Sequence, residues 1–288
     1  MSPLDSPIMR KILAFESSCD DTAVAVINDQ GHILSDVIYS QVSEYASFGG
    51  VVPEVGSRAH IEQILATTQR ALTEASLEPQ NIDVVALTLA PGLIGPLLVG
   101  ANFGKAFALA QNIPLIGVHH IAGHVLAGYS EPGFPKAPFI ALIASGGHSA
   151  LYHCDEDYRI SLIGETLDDA AGEAFDKIGR ALGLAYPAGK QMDELARQGD
   201  PTRFNFPIAM RKETHFNFSF SGLKTQSIQC IRGASPYSEQ TRRDICAGVE
   251  AAIAQALTER ALRALKEKGL KSLVIGGGVA ANTGLRTL

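Results

Sequence analysis

The feature that most constrains this chain is an order of elements written twice along it. Residues 11–16 (KILAFE) read as a buried strand, the turn SSCDD follows, and a second strand covers 22–27 (TAVAVI). A third strand falls near 33–39. Residues 57–76 read as an amphipathic helix, with Ile61, Ile64, Leu65 and Leu72 near the helical period and Ser57 as N-cap. The strand 83–89 (DVVALTL) ends at Pro91-Gly92, a helix covers about 96–111, and a short strand at 114–118 leads to His119. The order then restarts with strands at 138–144 (PFIALIA), 149–154 (SALYHC) and 159–164. A helical segment at 167–182, a long helix at 239–268 and a last strand at 272–275 complete it. The halves meet in the Pro/Gly-containing stretch 129–138, which divides the chain into domains 1–130 and 131–288. Each half opens on a hairpin rich in Gly, Ser or Asp. Duplicated α/β halves of this kind predict a nucleotide cleft with one phosphate-facing hairpin from each half.

Composition narrows the field. At 46% hydrophobic and 19% charged residues, the 288-residue chain is neither disordered nor a coiled coil. A net charge of −6 supplies no global basic field, so any nucleic-acid contact must come from a local patch. Cys19, Cys154, Cys230 and Cys246 form no CxxC pair and read as reduced thiols of a cytosolic protein. The first eight residues are polar and contain Pro, unlike a signal peptide, and the apolar stretch Leu93 to Ala101 is about half of the ~20 residues a membrane span needs. The small-xxx-small spacing of Gly100, Gly104 and Ala108 then predicts a helix pressed closely on a sheet.

Several constellations carry chemistry. In His119-His120-Ile121-Ala122-Gly123-His124, a helix puts the imidazoles of His120 and His124 at i and i+4, on one face and placed to share a metal. A metalloprotease of the H-E-x-x-H kind needs Glu directly after the first His, where this chain has Ile121. Ser145-Gly146-Gly147-His148 follows an apolar strand, and its glycines let backbone amides approach a phosphate; an ordinary hairpin turn is the alternative. Asp168 and Asp169 suit a helix N-terminus, and Asp176 suits ribose hydroxyls. Tyr186-Pro187-Ala188-Gly189 is a turn, with Asp193 on the helix after it. Gly276-Gly277-Gly278 joins a strand to a helix start and brings backbone near a nucleotide, without G-x-G-x-x-G or a GxxxxGK[ST] loop. Glu16-Ser17-Ser18-Cys19-Asp20-Asp21-Thr22 mirrors the Ser145 turn and reads either as a cation-holding hairpin or as an Asx-rich turn. The alternation in 216–225 reads as a half-buried strand. Around it Arg211, Lys212, Lys224, Arg232, Arg242 and Arg243 make a locally basic face, solvated or facing RNA backbone.

Taken together, ESSCDDT, GGVVPE, APGL, HHIAGH, SGGH, DDAAGEAFDK, FSFSGLKT and GGGVAAN stand in the order and spacing of one family. From about Ile12 to Leu288 the chain closely resembles the universal threonylcarbamoyl-transferring tRNA-modification proteins of the bacterial TsaD (Gcp) type, once labelled O-sialoglycoprotein endopeptidases. The resemblance implies an actin-like ATPase fold of two duplicated domains, in the superfamily of sugar kinases and Hsp70. It implies transfer of the threonylcarbamoyl group of threonylcarbamoyl-AMP to N6 of the adenosine beside the anticodon, in tRNAs reading codons that begin with A. A metalloendopeptidase and a non-catalytic scaffold are the alternatives.

Position by position, the resemblance makes His120 and His124 ligands of a divalent metal, iron(II) or zinc(II). Ile143, Ala144, Ser145, Gly146 and Gly147 become the loop around adenylate and carbamate. Asp176, Gly189 and Asp193 become ribose and adenine contacts, and Asn282 reaches the nucleotide. Asp20 is the acidic residue that assists transfer, and ATP or ADP is a further occupant of the cleft. The implied partners are tRNA, an inactive TsaB-type paralogue as heterodimer partner and a small TsaE-type P-loop ATPase, in the cytoplasm and with no membrane. Two departures stand out. Ala122 occupies a place often held by Glu, and relatives continue past Leu288 to an Asp that supplies a third metal ligand. A chain without it is expected to bind metal more weakly.

Overall fold

A computed structural model describes residues 9–45, 48, 50–129 and 131–287; the first eight residues, Gly49 of GGVVPE and Leu288 lie outside the described residues. Cα packing divides the chain into two compact units, Met1–Gly123 and His124–Leu288.

The first unit holds β1 (Lys11–Glu16), β2 (Asp21–Asn28), β3 (Ile33–Ser40), α1 (Val42–Tyr45), α2 (Pro53–Glu74), β4 (Val84–Ala90), α3 (Ile94–Gln111) and β5 (Leu115–His119). The sheet order is β3-β2-β1-β4-β5. β2 is antiparallel to both β1 and β3, whereas β4 is parallel to both β1 and β5. Leu13, Phe15, Val24, Val26, Val85 and Leu87 form its buried layer. Helix α2 begins at Pro53, whose fixed φ and missing N–H suit a first turn. Ser57 is therefore not the N-cap: it sits one turn inside, its hydroxyl donating to Pro53 O at 2.7 Å. The buried stripe of α2 is Gly56, His60, Ile64, Thr67 and Ala71. Ile61 and Leu65, expected on that face, are 63% and 54% exposed. Ile64 and Leu72 are buried as the period predicts, but small and polar residues share the inner face with them. Along α3, Gly100, Gly104 and Ala108 are buried, and a Cβ at Gly104 would sit 2.8 Å from Leu87 Cδ2. The small residues serve close approach to the sheet, as expected.

The chain passes between the units along α4 (His120–Leu126). The second unit holds β6 (Phe139–Ala144), β7 (Ser149–Cys154), β8 (Ile160–Glu165), α5 (Ala171–Ala181), α6 (Gly189–Ala196), α7 (Ser221–Ala234), α8 (Glu239–Lys268), β9 (Leu273–Gly276) and α9 (Thr283–Thr287). Its sheet order, β8-β7-β6-β9, repeats β3-β2-β1-β4 with the same antiparallel, antiparallel, parallel pairing. Every residue of β6 is fully buried, which is why this strand reads as an unbroken apolar run. Ile245, Val249, Ile253 and Leu257 of α8 carry one buried i, i+4 stripe. Ser238 caps α8, accepting the Thr241 amide at 3.1 Å, and Gly269 closes it at φ 68°.

Two expectations are corrected here. The segment 167–182 is helical only from Ala171. Residues 216–225 are not a strand: Phe218 makes one bridge to Thr166, and α7 starts at Ser221. One carboxylate explains both. Asp168 accepts from Ser219 Oγ (2.5 Å), Phe220 N (2.7 Å), Ser221 N (3.1 Å) and Ser221 Oγ (2.7 Å), capping α7 from 52 residues away. All four cysteines are free thiols. Burial pushes the thiols of Cys19 and Cys246 up to about 12. Among the described residues no helix is long and apolar enough to cross a membrane.

Candidate functional site

In the first unit the candidate residues lie at the C-terminal ends of neighbouring parallel strands. Asp20 sits in the turn from β1 to β2, and its carbonyl accepts the Gln41 amide at 3.0 Å. His60, completely buried, holds this turn from below. Its Nε2 lies 3.1 Å from the carbonyl of Cys19, which can only accept, so Nε2 carries the proton. Nδ1 then accepts from Thr22 Oγ1 at 2.7 Å, and burial keeps the ring pKa low. From the other side Leu93 N donates to Ser18 O at 2.8 Å, and Ser17 Oγ donates to Pro96 O at 3.0 Å. A Cβ at Gly92 would stand 2.6 Å from Ser18 O. The APGL motif is thus the packing partner of ESSCDDT.

His120 opens α4 and His124 lies one turn on, both half-buried, while Ile121 and Val125 are buried. Behind His120, Glu16 Oε2 is 3.2 Å and Ser18 Oγ 3.0 Å from Nδ1. Burial alone would raise the Glu16 carboxyl, but bonds from His120, Ser18 and Thr88 outweigh it and hold it at about 2. Two imidazoles on one helix face, one backed by a carboxylate, suit a transition-metal ion. Among the described residues no group of three or more His, Cys, Asp or Glu is gathered into a metal site. No carboxylate follows His120; Ile121 there is 2% exposed, which leaves the peptidase alternative without its base.

The second unit gathers glycine-rich turns around one loop. Ile143 and Ala144 are buried at the end of β6, and Ser145–His148 turn the chain into β7. Ser145 N donates to His148 O at 2.7 Å, and His148 N donates back to Ser145 Oγ at 3.0 Å. Gly146 and Gly147 are exposed, with nothing within 4 Å of where a Cβ would stand. Two other glycines press on the loop. A Cβ at Gly172, where α5 begins, would lie 2.6 Å from Ser145 O, and one at Gly277 (φ +87°) would collide with Ala144 O. An open backbone turn beside a helix N-terminus is a phosphate-type cradle.

Asp176 Oδ1 accepts Ala188 N at 2.8 Å and so fixes the turn that delivers Gly189 to the start of α6. Burial nonetheless raises its carboxyl pKa. Asp193, buried on α6, accepts Thr283 N at 2.7 Å, Thr283 Oγ1 at 3.1 Å and the Arg197 guanidinium. Asn282 Nδ2 donates to Asp193 Oδ1 (3.1 Å) and Glu250 Oε2 (2.7 Å), and its Oδ1 accepts Leu285 N (2.9 Å). Burial, against the Asn282 bond, pushes Glu250 up to about 7. The structure thus joins Asp193 to Asn282, and their oxygens bond to protein. Glu250, His60 and Thr88 escape a reading of the sequence, because each is a single polar residue with no motif around it. Half of the basic face at 211–243 is paired with carboxylates: Arg211 with Glu259, Lys224 with Asp169 and Arg242 with Glu239.

The family model described as TsaD, tRNA N6-adenosine threonylcarbamoyltransferase, matches residues 32–288. A tRNA N6-adenosine threonylcarbamoyltransferase of Ligilactobacillus salivarius is 50% identical over 96% of this chain and 80% of its own length. That of Enterococcus faecalis is 48% identical over 96% and 79%. In fold, the chain is similar to HypF of T. kodakarensis (TM-score 0.64, 16% identity, 98% of this chain and 43% of that one). It is also similar to component A of the (R)-2-hydroxyglutaryl-CoA dehydratase of Acidaminococcus fermentans (TM-score 0.57, 15% identity, 96% and 86%). These folds are actin-like ATPase folds, as the duplicated halves imply. With half of its residues shared with a curated relative over nearly its whole length, the chain belongs to the TsaD family of tRNA N6-adenosine threonylcarbamoyltransferases.

Proposed function

We propose that this protein transfers the threonylcarbamoyl group of threonylcarbamoyl-AMP to N6 of the adenosine beside the anticodon, in tRNAs reading codons that begin with A. The observation that carries this reading is the 50% identity with a named transferase over 96% of the chain. The open Ser145–Gly147 backbone and the imidazole pair on α4 support it chemically.

The donor is a mixed anhydride, so AMP is already a good leaving group. The adenosine amine attacks the carbamoyl carbon, the new N–C bond forms, and the C–O bond to the phosphate breaks. Amides of Ser145, Gly146 and Gly147 bind the phosphate and stabilise the charge that builds on it. Asp176, Gly189, Asp193 and Asn282 shape the ribose and adenine subsite, acting through the turns they hold. Asp20 takes the proton that the amine sheds. His120 and His124 would hold one divalent ion, iron(II) or zinc(II), which when bound would supply a Lewis acid for the carbamoyl or phosphate oxygens. The remaining contribution is positioning of the amine. The reading includes a cytoplasmic setting, a TsaB-type paralogue as partner and a TsaE-type ATPase, with ATP or ADP as a further ligand.

The test is mass spectrometry of nucleosides from tRNA incubated with threonine, bicarbonate, ATP, the adenylate-forming enzyme, the partner subunits and this chain. Threonylcarbamoyladenosine that appears only when this chain is present supports the reading. Its absence in the complete mixture counts against it.

A further inference from the structure

We infer that Glu16 is a positioning residue that fixes the tautomer of His120, keeping the ring proton on Nδ1 so that Nε2 retains its lone pair for a metal. The sheet itself builds the arrangement. Phe15 of β1 pairs with Leu87 of parallel β4, so Glu16 and Thr88 follow side by side at the strand ends. Ala90 pairs with His119 of β5, so His120, the next residue, is delivered to the same end.

The carboxylate is held on both oxygens. Ser18 N donates to Oε1 at 2.5 Å and Thr88 Oγ1 donates to Oε2 at 2.6 Å. Oε2 then faces His120 Nδ1 at 3.2 Å. An ionised carboxylate can only accept a hydrogen bond. A bare Nδ1 would set lone pair against lone pair, so Nδ1 carries the hydrogen. Ser18 Oγ, 3.0 Å from Nδ1, can donate or accept and so does not choose the tautomer by itself. A carboxylate behind a metal-facing imidazole fixes ring orientation and raises ligand basicity, and its loss weakens metal affinity roughly 10–100-fold.

The inference rests on the metal reading of His120 and His124, and two measurements separate the two ideas. The first is a long-range 1H–15N histidine spectrum of the full chain without metal at pH 8, with His120 assigned by His120→Gln. The wild type is expected to show the Nδ1–H tautomer. Ser18→Ala retains it, whereas Glu16→Gln, whose amide can donate as well as accept, mixes the two tautomers. An Nε2–H wild type overturns the inference, as does a Glu16→Gln protein that keeps the wild-type tautomer while Ser18→Ala loses it. The second is titration with cobalt(II), read in its visible spectrum. Affinity is expected to fall roughly 10–100-fold in Glu16→Gln, with the same circular dichroism as wild type. Unchanged cobalt(II) affinity in Glu16→Gln overturns the link to the metal. A wild type that holds Nδ1–H but binds no cobalt(II) removes the metal reading and upholds the tautomer assignment.

Discussion

Asp176 accepts the Ala188 amide at 2.8 Å, and that bond decides what its removal does. Asp176→Ala frees the turn that leads to Gly189 and so loosens the adenosine subsite proposed for it before any ligand arrives. A hydrogen bond to a charged acceptor is worth ~1.5–3 kcal/mol, so affinity for AMP is expected to fall roughly tenfold to a hundredfold. Asp176→Asn, which can still accept that amide, should keep most of it; calorimetry with AMP on both variants makes the comparison. Glu250 sets a pH window. Its folded pKa of about 7 lies above the ordinary 4.5, so the folded state holds this proton more tightly than the unfolded chain. The stabilising contribution is complete below 4.5, is lost as pH rises to 7, and is constant above. Glu250→Gln carries no such proton. The melting temperature of Glu250→Gln minus that of wild type is therefore expected to rise from pH 5 to 7 and level off by pH 8. Melts across this range check it, and a flat difference would contradict the buried, Asp193-facing carboxyl described here.

Among the elements, α7 depends on a residue it does not contain. Asp168 accepts the amides of Phe220 and Ser221 and the hydroxyls of Ser219 and Ser221. Asp168→Ala should cost ~1 kcal/mol, the usual worth of a helix cap, and lower the melting temperature by roughly 2–4 °C. Hydrogen exchange should quicken in the first turn of α7 rather than in α8. The β9–α9 corner depends on Gly277, whose φ of +87° suits only glycine and whose missing Cβ admits the Ala144 carbonyl. Gly277→Ala is expected to cost ~1–3 kcal/mol in a urea melt and to displace the Ser145 loop, so that AMP binding weakens as well. The first of these also marks where the sequence is hard to read. The aromatic alternation of 216–220 imitates a strand, and the bond that overrides it spans 52 residues, beyond any local pattern. α2 is legible only in part for another reason: its inner face sets Gly56, His60 and Thr67 beside Ile64 and Leu72, while the apolar count also selects Ile61 and Leu65 on the outer face. Strands fare better, because their apolar runs and glycine turns are local. The Ser145 loop was legible for the same reason, whereas Glu250 and Thr88 gain meaning only from what tertiary packing places beside them.

At the scale of the whole molecule, the repeated order of elements is visible in the sequence because it becomes a repeated sheet, β3-β2-β1-β4 and β8-β7-β6-β9. The fifth strand, β5, extends only the first of these, and four helices intervene between β8 and β9 in the second. Each sheet carries its own buried core. The thiols are shared out between them, with Cys19 in the first unit and Cys154, Cys230 and Cys246 in the second. Since the thiolate is the reactive form, thiols held near 12 should resist alkylation. Iodoacetamide at pH 8 is expected to modify Cys19 and Cys246 far more slowly in the native protein than in urea, where all four cysteines label at the rate of a free peptide; intact-mass and peptide spectra measure both. Prompt native labelling of Cys246 would contradict its burial on the inner face of α8. The same shielding turns the second half of the protein into its own stopwatch. The moment at which mass accumulates at Cys246 records when that half first breathes open, with no dye or engineered probe attached.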